Sequence, residues 1–222
     1  MTNTTTRRST VVSMGERSRR KREAILYVAA DLFLKNGYLG TSMDEVAERA
    51  EVSKQTVYKQ FSNKEALFIA IVNSMTSEAS GRVRDEVKLI GESESPAAYL
   101  LAFAERQLEI VLTPQLMRLR RLVIAEAGRF PELGAALYAG GPGRAIETLT
   151  SAFEHFADHG LIAVDDPSVA ASQFNWLVMG DPVNAVMLLG DKAIPKRQAL
   201  RRHAVNAVRM FLAAYTPPDR EP

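Results

Sequence analysis

Apolar residues recur three or four positions apart in one segment after another, and no segment shows the strict alternation expected of a β-strand. The chain has 222 residues, enough to bury one large or two modest cores. The predicted helices cover residues 18–36, 43–50, 53–61, 63–89, 96–112, 113–128, 131–139, 144–159, 167 onward and 195–215. The pattern therefore predicts an all-α fold of about nine or ten helices.

Capping and turn residues separate these helices. Gly37 follows the first helix and suits a left-handed C-terminal cap. Thr41 and Ser42 each precede an acidic residue by three positions, so either can form a capping box at the second helix. The run Gly140-Gly-Pro-Gly143 lacks the Lys-Ser/Thr of a phosphate loop and is predicted to be a turn. Pro182 falls inside a predicted helix and should kink or break it, because proline has no N–H to donate.

Two short helices, 43–50 and 53–61, lie only a tight turn apart. This is the arrangement by which a helix-turn-helix protein places its second helix in a DNA major groove. In that second helix the apolar side chains point to one face, which leaves glutamine and threonine for base edges and lysine and tyrosine for phosphates. The predicted DNA contacts are Thr41, Ser42, Ser53, Lys54, Gln55, Thr56, Tyr58, Lys59, Lys64, Arg19 and Arg20.

Positive charge is concentrated at the N-terminus. Residues 1–22 carry a net charge of +6, whereas the whole chain carries +2, so the remainder is acidic overall. A basic segment beside a reading helix favours DNA association through counterion release. Residues 1–17 are predicted to be a disordered tail that either follows the DNA backbone or is simply solvated.

The segment Arg19–Phe68 resembles the DNA-binding domain of TetR/AcrR-type repressors. The resemblance rests on the ordered blocks Arg-Arg-Lys-Arg-Glu-Ala-Ile-Leu, Leu-Phe-Leu-Lys-Asn-Gly-Tyr, Thr-Ser-Met-Asp-Glu-Val-Ala, Val-Ser-Lys-Gln-Thr-Val-Tyr and Phe-Ser-Asn-Lys-Glu-Ala-Leu-Phe. Residues Leu116–Leu133 are similar to the C-terminal domain of the AefR-like branch. The resemblance implies an all-helical homodimeric repressor that a small molecule releases from its operator.

The resemblance also identifies two departures from the family pattern. Glu51 stands where the family usually has glycine, at a turn position that needs a left-handed backbone; a side chain there costs roughly 1–2 kcal/mol. In the family the last two long helices form the dimer interface as a four-helix bundle, and Pro182 lies in the first of them.

Three segments are predicted: a basic tail at 1–17, a helix-turn-helix DNA-binding domain at 18–64, and a helical effector-binding and dimerisation domain at 65–222. The large apolar or amphipathic residues of its inner helices are candidates for the effector site. They are Phe103, Gln107, Ile110, Val123, Phe153, Phe156, Phe174, Trp176, Leu177 and Met179. We expect about three or four of them to line a pocket for a largely hydrophobic molecule, with Gln107 or Trp176 as its polar contact.

Composition excludes several kinds of chemistry. The chain has no cysteine, which excludes disulfides, thiolate zinc sites and cysteine nucleophiles. Its most apolar region, 174–189, is interrupted by polar residues and proline, so neither a membrane span nor a membrane partner is predicted. The first 14 residues lack a secretory signal, which predicts a cytoplasmic protein. Nothing specific indicates an enzyme or a cofactor.

Two alternatives remain open beside the ligand-released repressor. One is a DNA-binding protein whose helical body only dimerises or docks a protein partner; a filled core would favour it. The other is a metal-responsive sensor that uses His155 and His159, which are four residues apart on one helical face. Histidines near a helix C-terminus also have an ordinary explanation in the helix dipole.

Overall fold

A computed structural model describes residues 14–89 and 95–215, and in these residues it contains ten α-helices and no β-strand. The helices are α1 Met14–Asn36, α2 Met43–Arg49, α3 Lys54–Gln60, α4 Lys64–Leu89, α5 Pro96–Val111, α6 Pro114–Glu126, α7 Pro131–Tyr138, α8 Arg144–Asp158, α9 Pro167–Leu189 and α10 Arg197–Tyr215. A π-helical turn, Ala139–Gly143, joins α7 to α8, and a short 3₁₀ turn, Asp191–Ala193, follows α9. The predicted all-α class is confirmed. None of these helices is both long and apolar enough to cross a membrane.

The chain divides into two compact units, one ending at Ile71 and the other beginning at Val72. Helix α4 starts in the first unit and continues into the second. The sequence prediction placed the domain boundary between residues 64 and 65, where this helix begins.

The first unit encloses a small core between its helices. Ile25 and Phe33 of α1, Val46 of α2 and Val57 of α3 are at most 1% exposed. The ring of Phe33 stacks on that of Phe68 from α4, with 4.8 Å between centroids. Ile25 and Phe33 recur at helical spacing in the sequence, and they lie on the buried face of α1.

Local backbone geometry follows two of the sequence predictions closely. Gly37 caps α1 with φ +76°, and its N–H donates to the carbonyl of Phe33 at 2.9 Å. Glu51 has φ 53° and is the one non-glycine residue with positive φ in the residues described. The expected left-handed turn is thus confirmed, and it forms without the glycine that would relieve its strain.

Helix α1 begins earlier than predicted. It starts at Met14, whereas the sequence pattern placed the N-cap at Ser18. An ion pair one turn apart, from Arg20 Nη2 to Glu16 Oε1 at 2.9 Å, accompanies this additional turn. Residues 1–13 of the predicted tail lie outside the described residues.

The second unit is organised around α5. Its residues Leu100, Phe103 and Leu108 are at most 1% exposed, which is typical of a helix surrounded by other helices. Around it the aromatic rings of the neighbouring helices meet: Phe211 of α10 lies 5.1 Å from Phe153 of α8 between ring centroids. The aromatic residues predicted in these helices therefore form the core of the unit.

The prediction of a turn at Gly140–Gly143 is wrong, because these residues continue the helical path from α7 to α8 as a π-helical turn. Gly140 lies against α4: a Cβ atom on it would be 2.2 Å from Thr76 Oγ1. The Ser80 hydroxyl donates to the Gly140 carbonyl at 2.7 Å. At Gly140, therefore, the absence of a side chain permits close approach to another helix.

Pro182 does not break its helix, since α9 runs without interruption from Pro167 to Leu189. Proline has no N–H for the carbonyl of Val178 four residues earlier. His203 of α10 supplies the missing contact, with its Nε2 atom 2.8 Å from the Val178 oxygen. This contact requires the proton on Nε2, and it lets a buried proline remain inside α9.

We predict that His203→Ala lowers the free energy of unfolding by about 1–3 kcal/mol, because it leaves the Val178 carbonyl without a donor. Urea unfolding of the full chain, followed by Trp176 fluorescence, measures the loss. A Pro182→Ala background restores a backbone N–H to the Val178 carbonyl, so the His203→Ala loss should shrink there. If His203→Ala lowered the free energy of unfolding equally with and without Pro182→Ala, His203 would contribute through packing and not through this hydrogen bond.

Candidate DNA-reading surface and ligand cavity

Helix α3 separates an apolar face from a polar one. Val57 and the following Phe61 are 0% and 3% exposed, which fixes the helix on the core of the first unit. Lys54, Gln55 and Lys59 are exposed on the opposite side, and Tyr58 is half exposed. The structure therefore brings four of the predicted DNA contacts together on the accessible face of one helix.

The serine and threonine residues of this motif mainly stabilise helix starts. Ser42 accepts the N–H of Glu45 at 3.1 Å and Ser53 accepts that of Thr56 at 3.2 Å, so they are the N-caps of α2 and α3. Ser42 and Ser53 are exposed, and Thr56 is half-buried with its hydroxyl 2.9 Å from that of Ser53. Thr41 is only 2% exposed and donates to the Gly37 carbonyl, so its side chain is withdrawn from the predicted DNA contacts.

An ion pair joins α2 to the reading helix. Lys54 Nζ lies 2.6 Å from Asp44 Oδ2, and both side chains are more than half exposed. The hydrogen bond and charge of Asp44 raise the pKa of Lys54 above its usual value. A DNA phosphate near Lys54 would therefore compete with the Asp44 carboxylate for the same ammonium group.

The remaining predicted cations lie on α1 and at the start of α4. Arg19 pairs with Glu23 at 3.6 Å and Arg20 with Glu16 at 2.9 Å, and both arginine side chains stay well exposed. Lys64, the first residue of α4, places its Nζ atom 4.6 Å from the centroid of the Tyr38 ring. These contacts are weak enough to exchange for phosphate contacts.

Side-chain contacts attach α1 to the end of α3, and these contacts were not predicted from the sequence. Arg22 Nη1 donates to the Gln60 carbonyl at 3.3 Å, and its guanidinium lies 4.3 Å from the centroid of the Phe61 ring. Gln60 Nε2 donates to Ser18 Oγ at 2.9 Å. The partners are 38 and 42 residues apart, so no local pattern in the sequence indicates these contacts.

The second unit contains a cavity of about 90 Å³ bounded by α4 to α9. Four of the ten predicted effector residues line it: Phe103, Gln107, Trp176 and Met179. The structure does not bring the other six to the cavity. Of these, Leu177 is partly buried, and the others are at most 2% exposed within the core: Ile110, Val123, Phe153, Phe156 and Phe174.

Two buried amides meet in the cavity lining. Gln107 of α5 is 5% exposed and Asn175 of α9 is 1% exposed, and Gln107 Nε2 donates to Asn175 Oδ1 at 2.9 Å. Within the described residues, Gln107 Oε1 and Asn175 Nδ2 have no hydrogen-bond partner. Reversing both amide groups exchanges their atoms but still leaves one acceptor and one donor unused. Asn175 was not predicted, although an asparagine inside an apolar helical run is a signal that could have identified it.

Three arginine residues also border the cavity, and none of the three was predicted from the sequence to do so. Arg120 of α6 is part-buried at the lining, where burial lowers the pKa of its guanidinium. Arg84 of α4 and Arg144 of α8 also border the cavity, and Arg144 pairs with Glu147 at 3.3 Å. Among the described residues that border the cavity, none is acidic.

The two histidines considered as metal ligands lie at the C-terminal end of α8. Their ring centroids are 4.2 Å apart, and His159 Nδ1 is 2.8 Å from the carbonyl oxygen of His155. In residues 14–89 and 95–215, no group of three potential metal-ligating side chains occurs. The hydrogen bond of His159 is that of a helix-terminal histidine.

Comparisons with known proteins agree with both parts of this architecture. Residues 25–71 match the model of bacterial regulatory proteins of the tetR family, and residues 98–217 match the C-terminal domain of AefR-like transcriptional repressors. A putative TetR-family transcriptional regulator from Mesorhizobium loti MAFF303099 is 37% identical, with a TM-score of 0.85 over 90% of this chain and 99% of that one.

A second solved structure, the flavonoid-responsive regulator FrrA, is 30% identical, with a TM-score of 0.76 over 90% of this chain and 99% of that one. The HTH-type transcriptional regulator YdeS of Bacillus subtilis (strain 168) is 46% identical over 61 residues, 28% of this chain and 29% of that protein. The chain thus covers about three tenths of the curated relatives it matches.

We predict that Asp44→Asn strengthens binding to a mixed-sequence DNA duplex about two- to fivefold at low salt, because it frees Lys54 and removes a negative charge. Fluorescence anisotropy at two salt concentrations measures the change, which should shrink as salt rises. Asp31→Asn is the matched control, since Asp31 pairs with Arg49 at 3.3 Å in the same unit. An equal gain in both variants would make net charge, and not the release of Lys54, the cause.

Proposed function

Because the chain belongs to the TetR family of transcriptional regulators and carries an AefR-like C-terminal domain, we propose that it is a homodimeric repressor that a hydrophobic small molecule releases from a palindromic operator. The observation that carries this proposal is the continuity of α4. This helix begins three residues after Phe61 of the reading motif and later lines the cavity with Thr76, Ser80 and Val83.

The exposed face of α3 supports sequence-specific DNA binding. Gln55 is the residue proposed to read a base, since an amide can form two hydrogen bonds with an adenine edge. Lys54, Tyr58 and Lys59 are proposed to contact phosphates and to set the register of the helix in the groove. Two copies of the chain would read half-sites about one duplex turn, roughly 34–36 Å, apart.

Exposed apolar side chains on the last two long helices support dimerisation. Val169, Leu188 and Leu189 of α9 and Val205 and Met210 of α10 are each at least 44% exposed in the single chain. A second copy that covers these helices would remove this apolar surface from water. Because α9 continues through Pro182, its whole length is available for the four-helix bundle that the family resemblance implies.

The cavity favours the hypothesis that the second unit binds a small-molecule effector. It argues against the alternative that this unit only dimerises or docks a protein partner. That alternative predicts a filled core, whereas this unit keeps a cavity whose wall contains two amide atoms, Gln107 Oε1 and Asn175 Nδ2, without a hydrogen-bond partner among the described residues. Buried polar atoms without partners are unfavourable by about 1–3 kcal/mol each, and a bound molecule can satisfy them. The rest of the wall is mainly apolar and suits a hydrophobic ligand.

We propose that the π-helical turn couples the cavity to α4. Gly141 and Pro142 of this turn border the cavity, and the adjacent Gly140 contacts Thr76 and Ser80 of α4. A ligand that displaces the turn would therefore move α4, the helix shared with the DNA-reading unit. The ligand must favour the displaced conformer by several kcal/mol to empty the operator.

We predict that selection from a random duplex library recovers a palindrome at moderate salt. Gln55→Ala should relax base preference at one position in each half-site, a discrimination of about 1–3 kcal/mol, and retain most non-specific affinity. The matched control is Lys59→Ala, which should weaken all duplexes alike and reduce the salt slope by about one. Recovery of no motif by the unaltered protein would contradict sequence-specific repression.

A second prediction tests the coupling. Gly140→Ala places a methyl group on Thr76, so it should shift operator affinity in the absence of effector about two- to thirtyfold. Gly141→Ala is the control, because a Cβ atom there meets nothing within 4 Å. The double variant Thr76→Ala/Gly140→Ala removes the nearest atom, Thr76 Oγ1, but keeps Thr76 Cβ 2.8 Å from the new methyl group, so it should restore only part of the original affinity. Unchanged operator binding in Gly140→Ala would contradict the role of this contact.

A further inference from the structure

Three arginines of α6 differ in their surroundings. Arg118 and Arg121 both pair with Asp191, Arg118 at 3.3 Å from Nε to Oδ2. Arg120 borders the cavity instead, and it forms neither an ion pair nor a hydrogen bond with any residue that the structure describes. The helix thus places one guanidinium at the ligand cavity without a protein counterion.

The charge of the cavity wall has one sign. Arg84, Arg120 and Arg144 are the charged residues among the described residues that border it, and none of those residues is acidic. Arg144 pairs with Glu147, which lies outside the lining. The remaining wall is largely apolar, with Phe103 and Met117 on α5 and α6. A positive potential beside an apolar surface favours an amphiphilic anion and disfavours a cation of the same shape.

The charge and shape of the arginine side chain indicate which class of anion would bind. Arginine stays protonated even where burial lowers its pKa, so Arg120 is a charge at the cavity that none of the described residues compensates. A planar guanidinium matches a carboxylate through two parallel hydrogen bonds. A carboxylate on the ligand would supply the counterion that the described residues do not provide.

We propose that the effector is an apolar carboxylate whose negative group binds Arg120. This inference rests on the proposed effector site and specifies the chemical class of its ligand. The apolar body lies against the wall formed by Phe103 and Met117, and Gln107 and Asn175 offer it one further donor and one acceptor.

The test uses two series of probes with different head groups. One series is decanoate, decanamide and decylammonium, and the other is naphthoate, naphthamide and naphthylmethylammonium. Trp176 is the one tryptophan of the chain and borders the cavity, so its fluorescence reports binding without DNA. At least one carboxylate should bind about 10- to 100-fold more tightly than its amide, and the ammonium probes should bind least.

Substitutions in α6 test whether Arg120 is the residue that binds the carboxylate of the probe. Arg120→Gln should remove the preference for carboxylate over amide, Arg120→Lys should keep part of it, and the control Arg118→Gln should keep it fully. Without ligand, Arg120→Gln should unfold at the same or a higher urea concentration, because it removes a part-buried charge that has no protein partner. Loss of ligand preference without loss of stability is a result that a purely structural role of Arg120 does not produce.

Three results would overturn the proposal: amides that bind as tightly as carboxylates, a carboxylate preference that survives Arg120→Gln, or no binding by any probe. Operator release is measured separately by anisotropy. A carboxylate that binds through Arg120 but leaves the operator complex intact would support the anion site and contradict the proposed effector function. If only the neutral amides released the protein from its operator, the effector function would be supported and the proposal that the effector is an anion would be contradicted.

Discussion

Helix α4 and the π-helical turn approach each other so closely at Gly140 that a single methyl group would overlap Thr76. The Ser80 hydroxyl holds the same contact by its hydrogen bond to the Gly140 carbonyl. Both partners also border the cavity, α4 through Thr76 and Ser80 and the turn through Gly141 and Pro142. The spacing between these two elements therefore cannot change without a change in the cavity, and this constraint is the reason to assign the control of α4 to the cavity.

The cavity wall carries polar groups that the folded chain leaves unsatisfied. The paired amides of Gln107 and Asn175 keep one donor and one acceptor unused, and Arg120 faces the same space without a counterion in the described structure. Apolar residues at these three positions would favour stability. The retention of polar groups in an otherwise apolar body is the expected trade of stability for recognition at a binding site.

The sequence predicted the fold wherever a local pattern determines local structure. The stripe containing Ile25 and Phe33 identified α1. The left-handed position of Glu51 followed from the resemblance to the family, which usually has glycine there. The prediction failed at Gly140–Gly143, because a glycine-rich run locally resembles a turn and the partner of Gly140 is Thr76, more than sixty residues earlier.

The cavity was only partly predictable for the same reason. Gln107 was identified by its position on an apolar helix, but its partner Asn175 is 68 residues away. Arg120 resembles Arg118 and Arg121 in sequence, and only the position of Asp191 distinguishes the paired arginines from the one at the cavity. The aromatic residues Phe153 and Phe174 were candidates for the site, yet their helical spacing is equally that of a core, where they lie.

The two units differ in whether a protein carboxylate pairs with the cation at the proposed binding site. In each unit the pairing suits the ligand proposed for that unit. On the DNA-reading surface Lys54 is held by the exposed Asp44 carboxylate, so a phosphate must displace that carboxylate and gains little beyond the exchange. Such an exchange suits binding that must remain reversible and depend on sequence. At the cavity, Arg120 has no carboxylate to displace in the described residues, and its part-buried setting strengthens any charge-assisted hydrogen bond. A ligand anion there gains a charge-assisted hydrogen bond without first displacing a carboxylate, and this gain offsets part of the hydration that the anion loses. The ligand must still favour the conformer that leaves the operator by several kcal/mol.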